Sequence, residues 1–141
     1  MADSAFEQKA LRNRLRVAGG LSVLVGVGFG LPGVYGAAHL GRTGEVWTFM
    51  GFPTYGHGPF EKIGVETTLP LMIAYVAVCA AEVACGVLLW QGRRAGVVLS
   101  VLLLPVELAF WTGFLLPYAF PLGLGRTALA VWPSRRAAVP S

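Results

Sequence analysis

Two glutamates and one arginine, Glu82, Glu107 and Arg126, each lie inside a stretch of sequence that is otherwise apolar. A charged side chain at the centre of a bilayer costs about 2.5–3.5 kcal/mol on insertion scales, so a chain keeps one where it is paired or where it acts. Carboxyl groups beside a guanidinium can form a buried ion pair, donate a proton to a ligand, or carry a proton through a membrane. These three residues are therefore the candidate catalytic residues.

The composition predicts an integral membrane protein. Of 141 residues, 55% are hydrophobic and 13% are charged, whereas soluble domains carry about 25% charged residues. The charges are clustered, and the intervening runs of about 20 apolar residues match a hydrocarbon core about 30 Å thick. We predict four spans, at about 17–40, 68–90, 95–116 and 117–132. The fourth is the shortest, and it contains Arg126.

Basic residues indicate which side of the membrane each span end faces. They form three groups, at 9–16 before the first span, at 93–94 between the second and third, and at 135–136 after the fourth. Because basic flanks mark the cytoplasmic side, an even number of spans places all three groups there. This distribution of the net charge of +4 favours a topology signal over nucleic-acid binding. A cleaved signal peptide is the alternative interpretation of the first span.

The predicted fold class is therefore an all-α, integral membrane four-helix bundle of the cell (plasma) membrane, with cytoplasmic N- and C-termini. Its parts are a basic lead at 1–16, a membrane domain at 17–133 and a cytoplasmic tail at 134–141. One long outer loop, at 41–66, is rich in aromatic residues. Two interpretations of this loop stay open: a segment resting at headgroup level and a lid over the bundle.

No pattern in the sequence predicts a metal site or a cofactor. His39 and His57 are separated by many residues of a glycine-rich region, which is more typical of turns than of metal ligands. Cys79 and Cys85 rise ~9 Å apart along one helix, too far for a disulfide. We expect both thiols to pack as small apolar groups.

Helical spacing predicts which side chains accompany the charges. One stripe of the second span carries Tyr75, Cys79, Glu82, Gly86 and Leu89. One face of the third span carries Ser100, Glu107, Phe110, Trp111 and Phe114. Measured from the cytoplasmic edge, the three charges lie within ~10 Å of one another in depth, so we expect Arg126 to bridge to Glu82, Glu107 or both. The two faces predict an interior cavity, with Tyr75, Phe110, Trp111 and Phe114 as candidate ligand-binding residues.

The second and third spans carry a resemblance to a known family in the segment VCAAEVACGVLLWQGRRAGVVLSVLLLP. An acid in an alanine- and glycine-rich helix leads to an aromatic end, a short Gly-Arg-Arg turn and another apolar helix. This pattern resembles the DoxX-like group of small four-helix bacterial membrane proteins. The resemblance implies a membrane component associated with redox or sulfur-metabolism proteins, and it carries over no site residues.

A second resemblance lies in PVELAFW, from Pro105 to Trp111. This segment is similar to the proline-acid-aromatic helix of small membrane carotenoid cyclases. Those proteins, like the emopamil-binding-protein-like isomerases, use intramembrane acids to protonate an alkene and aromatic rings to shelter the resulting cation. Attraction between a cation and an aromatic face gives such rings a physical role.

Three hypotheses for function follow from these observations. The first is a DoxX-like accessory or scaffold component, with the lipid bilayer, a membrane protein or a second copy of the chain as partner. The second is a membrane-embedded acid catalyst that cyclises or isomerises an isoprenoid or another apolar lipid, with Glu107 or Glu82 as proton donor. The third is a small proton-coupled transporter that uses the same charges.

Overall fold

The computed structural model describes the backbone of residues 2–137 and the side chains of residues 4–132. Four of its helices are long: α1 (Ala2–Thr43), α3 (Leu69–Trp90), α4 (Arg94–Gly113) and α5 (Ala119–Ala137). Between α1 and α3 lie two short strands, β1 (Thr48–Phe49) and β2 (Phe52–Pro53), and the single-turn helix α2 (Pro59–Lys62). The predicted all-α class is confirmed at this level, because helix is the main element throughout.

The long helices pack with α1 against α3 and α5, and with α4 against α3 and α5. The contact between α1 and α3 is the most extensive, and glycines bring the two backbones together there. A Cβ atom on Gly19 would lie 2.6 Å from the carbonyl oxygen of Gly86, and one on Gly86 would lie 2.7 Å from that of Gly19. Small residues of this kind allow membrane helices to approach closely.

The distribution of polarity is the reverse of that in a soluble protein. Leu31 of α1 is 67% exposed and Leu102 of α4 is 64% exposed, whereas Glu107 and Arg126 are fully buried. Many other large apolar side chains are exposed as well, and a hydrocarbon solvent favours such exposure. Within the part of the chain that the structure describes, three helices are long and apolar enough to cross a membrane, namely Ser4–Thr43, Leu69–Trp90 and Arg94–Gly113.

The first helix begins well before the predicted span. The basic lead at 1–16 and the span at 17–40 form one continuous helix from Ala2 to Thr43, and Pro32 lies inside it. The lead contains good helix formers and no proline or glycine, so nothing ends the helix before the apolar run begins. Leu15 is buried against Ala130 of α5, which shows that the lead also packs against the rest of the protein.

The third and fourth predicted spans also have different limits. Helix α4 ends at Gly113 rather than 116, since Phe114 is its C-cap and Leu115 has a positive φ of 56°. Helix α5 begins at Ala119 rather than 117. Although α5 is long, it is not among the three candidate spanning helices, and Arg126 interrupts its apolar stretch. The side chains of the basic pair at 135–136, and residues 138–141 of the predicted tail, lie outside the described residues.

The long loop after α1 is divided between the surface and the interior. Its hairpin pairs Thr48 with Pro53 and exposes Phe49 and Phe52. Tyr55, by contrast, is buried, and Phe60 of α2 packs beside it against the same core. The loop therefore covers one end of the packed helices, and the exposed rings of Phe49 and Phe52 lie on its outer surface.

Candidate functional site

The three predicted charges meet in the interior, each on a different helix. Arg126 of α5 donates from Nη2 to Glu107 Oε2 at 2.8 Å and from Nη1 to Glu107 Oε1 at 3.1 Å. Its Nη1 group also donates to Oε1 of Glu82, on α3. Of the three expected arrangements, Arg126 thus adopts the one that bridges both glutamates. We call these three residues the Glu–Arg–Glu cluster.

Hydroxyl groups from α1 and from α5 itself, together with a backbone carbonyl group of α4, surround the cluster. Ser22 of α1 lies 2.8 Å from the carbonyl oxygen and 3.2 Å from the carboxylate of Glu82. Arg126 Nη2 lies 3.1 Å from Thr127 Oγ1 and 3.4 Å from the carbonyl oxygen of Ser100. All four long helices therefore contribute a polar group to one buried network. Such networks stabilise a fold when most members have partners.

Burial of the cluster is nearly complete. Glu107 and Arg126 are 0% exposed and Glu82 is 2% exposed, so their hydrogen bonds form away from solvent. With both carboxylates ionised the three residues carry one net negative charge, and a single added proton would neutralise them. The cluster has the composition of a buried ion pair with one further acid, which can either join helices or exchange a proton.

Tyr75 connects the cluster's helix to a group of aromatic rings that contact one another in tilted and edge-to-face arrangements. Its ring centroid lies 5.1 Å from that of Tyr55, 5.2 Å from Phe114 and 5.5 Å from Phe110. Phe60 completes the group by contacting Phe110 and Phe114 edge-on. These five rings, here called the aromatic cluster, touch one another directly. The interior cavity that we expected beside these rings stays a prediction, since ring contacts alone do not test it.

Trp111, a candidate ligand-binding residue, does not join the aromatic cluster. Its ring packs against Phe120 of α5 at 5.8 Å, and it lies so close to Gly123 that a Cβ atom there would overlap the indole. Trp111 directly follows Phe110, so its side chain points about 100° further around the helix. This rotation directs Trp111 toward α5. Tyr75, Phe110 and Phe114 are brought together as expected, and Trp111 is placed elsewhere.

The loop residue Tyr55 is part of this interior, although no pattern in the sequence marks it as a site residue. Its hydroxyl donates to the carbonyl oxygen of Phe29 on α1 at 2.9 Å, and its own carbonyl accepts from Thr67 Oγ1 at 2.8 Å. Its φ of 64° is unusual for a bulky residue. Burial, with a smaller contribution from Cys79, raises the pKa of the Tyr55 phenol.

Two buried polar atoms among the described side chains have no hydrogen-bond partner, the hydroxyl of Tyr75 and Nε of Arg126. Such atoms are rare in native interiors. Cys79 and Cys85 are both free and buried, as predicted. Over the described part of the chain, no group of His, Cys, Asp or Glu residues has the arrangement of a metal site.

The fold and the site together define a helical membrane protein with a buried Glu–Arg–Glu cluster. Comparisons of the chain with protein-family models, with curated proteins and with solved structures find no match.

Proposed function

We propose that this chain is a multi-pass protein of the plasma membrane, with four spans and cytoplasmic termini, that serves as an accessory or scaffold component. In this proposal it is of the DoxX-like type that the sequence resembles. The Glu–Arg–Glu cluster acts as a polar lock that fixes the packing of the four long helices. The protein presents an apolar exterior to lipid or to another membrane protein.

The observation that carries the proposal is that each charged group of the cluster is paired with an opposite charge inside the protein. Arg126 has carboxylate partners on two helices, and Ser22 on a third helix lies against Glu82. A catalytic acid must be able to reach a substrate, whereas these carboxylates are turned toward the guanidinium and enclosed.

The contacts at one end of the helices support the proposed orientation. Arg16 of α1 lies over the ring of Trp90 at 5.9 Å, where α3 turns into α4, and Trp132 of α5 borders the same groove as Arg14. Tryptophan and arginine at one level are typical of a membrane interface, and basic residues mark the cytoplasmic one. We call this end, with Arg14, Arg16, Trp90 and Trp132, the basic end.

The second candidate function is acid catalysis on an isoprenoid or another apolar lipid. The Tyr75 hydroxyl favours it, because a buried donor without a partner is suited to binding an acceptor group on a ligand. The aromatic cluster around it would shelter positive charge on such a ligand. Entry of the ligand would require movement of Tyr55, which covers Tyr75 from the loop side.

Purification from native membranes in mild detergent separates these two functions. Mass spectrometry of the purified protein measures retained lipids and stoichiometric protein partners. The scaffold proposal expects a second copy or a protein partner and no stoichiometric isoprenoid. It also expects that Tyr75→Phe, which removes only the unpartnered hydroxyl, leaves that assembly unchanged. An isoprenoid that is retained by the natural protein and lost from folded Tyr75→Phe would overturn the scaffold proposal and support catalysis.

A further inference from the structure

A groove of about 360 Å³ lies between α1 and α5 at the basic end. It is lined by Arg14 of α1 and by Ala128, Leu129 and Trp132 of α5. Three of these four residues are apolar, and the fourth is an exposed arginine. The volume is at the low end of the range of about 300–1,000 Å³ that is typical of small-ligand sites. The groove thus has one cationic group beside an apolar surface.

The level of the groove along the helices matches a membrane interface. Arg14 lies eight residues before Ser22, and Trp132 lies six residues after Arg126. Because Ser22 and Arg126 both contact Glu82, these offsets place the groove ~9–12 Å from the Glu–Arg–Glu cluster, at 1.5 Å per residue. Trp90 lies eight residues beyond Glu82, at the same level. A molecule in the groove would therefore have its polar part at the headgroups and its apolar part among the helices.

The basic side chains around the groove favour a molecule whose polar part is negatively charged. Lys9, Arg12 and Arg16 lie within five residues of Arg14 on α1 and are exposed, and Arg93 and Arg94 are exposed at the start of α4. Within the described side chains of residues 4–16, Glu7 is the one acidic residue. Cationic side chains near a membrane surface attract anionic lipids by about 1 kcal/mol each. Arginine also binds phosphate through two parallel hydrogen bonds.

We infer that this groove is a binding site for one anionic glycerophospholipid of the adjacent leaflet. Arg14 binds the phosphate group, and the apolar faces of Ala128, Leu129 and Trp132 hold the first part of an acyl chain. The bound lipid occupies a seam between α1 and α5, and so stabilises the contact between them. This inference rests on the proposed insertion of the helices in a membrane, and it does not depend on which side of the membrane the basic end faces.

The test is native mass spectrometry of the detergent-purified full chain, titrated with phosphatidylglycerol or phosphatidylcholine of identical acyl chains. We expect tighter binding of the first phosphatidylglycerol molecule, and Arg14→Gln should weaken that binding about tenfold or more, because it removes the direct hydrogen bonds to the phosphate. Ala128→Trp changes no charge but fills the groove, and it should weaken binding of the same lipid. Arg12→Gln is the matched control, because Arg12 is exposed on the same helix and does not line the groove.

Two results would overturn the inference. Equal loss of affinity in Arg12→Gln and Arg14→Gln would show diffuse attraction by the basic lead rather than a site. Equal affinity for the two lipids would show that the headgroup charge is not recognised. Gel-filtration profiles and circular dichroism check that each variant folds. If Arg14→Gln does not fold, lipid binding by Ala128→Trp tests whether the groove is the site. Because binding is measured in detergent, an error in the proposed orientation or scaffold role would leave the result unchanged.

Discussion

Arg126 and Glu107 form a bidentate ion pair, in which Nη1 of the guanidinium donates to Oε1 of the carboxylate at 3.1 Å and Nη2 donates to Oε2 at 2.8 Å. The two residues come from neighbouring helices, α5 and α4, and both are fully buried. Removal of one partner from such a pair leaves a charge that nothing compensates, and this costs about 3–5 kcal/mol. Replacement of every member by neutral groups can cost much less.

The first prediction compares a single and a triple variant of the cluster. Arg126→Met leaves Glu82 and Glu107 facing each other without a counter-charge, so we expect a loss of about 3–5 kcal/mol in unfolding free energy. Arg126→Met combined with Glu82→Gln and Glu107→Gln should recover most of this loss. Denaturant unfolding in detergent micelles measures both, with the exposed Arg42→Gln as the control. A triple variant no more stable than Arg126→Met would contradict the role of the cluster as a lock.

The two glutamates should differ in their response to neutral substitution. In Glu107→Gln, the new amide group faces a nitrogen of Arg126, so one of two parallel hydrogen bonds becomes a contact between two donors. In Glu82→Gln, the remaining carbonyl oxygen can still accept from Arg126 and Ser22. We therefore expect Glu107→Gln to be the more destabilising change, by about 1–3 kcal/mol. The same unfolding measurement tests this order, and the reverse order would contradict the geometry described.

Close approach of α1 and α3 gives a third prediction. In Gly86→Ala the added methyl group would lie 2.7 Å from the carbonyl oxygen of Gly19, so the helices must separate, at a cost of about 1–3 kcal/mol. Gly28→Ala is the matched control, because a Cβ atom at Gly28 would meet no atom within 4 Å. That control should be neutral or stabilising by up to about 1 kcal/mol. Equal melting temperatures for the two variants would disprove the contact.

Tyr55 should make stability depend on pH in the alkaline range. Because burial raises the pKa of its phenol above the usual 10.0, the folded protein keeps this proton at pH values where the unfolded chain releases it. The contribution is fully present below pH 10 and falls as pH rises further, by about 1.4 kcal/mol per unit.

Tyr55→Phe should remove that part of the alkaline loss of stability. It should also cost about 1 kcal/mol at neutral pH, because the hydrogen bond to the carbonyl oxygen of Phe29 is lost. Unfolding free energies at pH 8 and pH 11 give the comparison, and Tyr118→Phe, at a 78% exposed position, is the control. An unchanged difference between the two pH values in Tyr55→Phe would contradict the burial of this phenol.

The meeting of Glu82, Glu107 and Arg126 could be predicted because two strong constraints act on it. Charges at membrane depth must find partners, and the helical period fixes which residues share a face. The same period placed Tyr75 with Glu82, and both are buried. The continuation of the first helix through the basic lead also agrees with the sequence, since the lead carries no proline or glycine that would end a helix.

Other parts of the site depend on contacts between helices that the local sequence does not predict. Ser22 is a single hydroxyl in an apolar run, and only the rotation of α1 against α3 brings it to Glu82. Trp111 differs from Phe110 by one residue, so a modest rotation of α4 decides which neighbour each ring meets. Tyr55 reaches the core through a backbone conformation with positive φ, which a loop adopts only when tertiary contacts favour it.

The proposed orientation gives the last prediction, which uses single cysteines at exposed positions. Glu66 and Gln91 are both exposed, the first just before α3 and the second just after it. With cytoplasmic termini, a membrane-impermeant maleimide should label Glu66→Cys in intact cells, and should label Gln91→Cys only after the membrane is permeabilised. The natural protein is the control, because Cys79 is 7% exposed and Cys85 is 0% exposed, so neither thiol should react. Labelling of Gln91→Cys in intact cells with Glu66→Cys protected would invert the orientation, and labelling of both from outside would exclude a span between them.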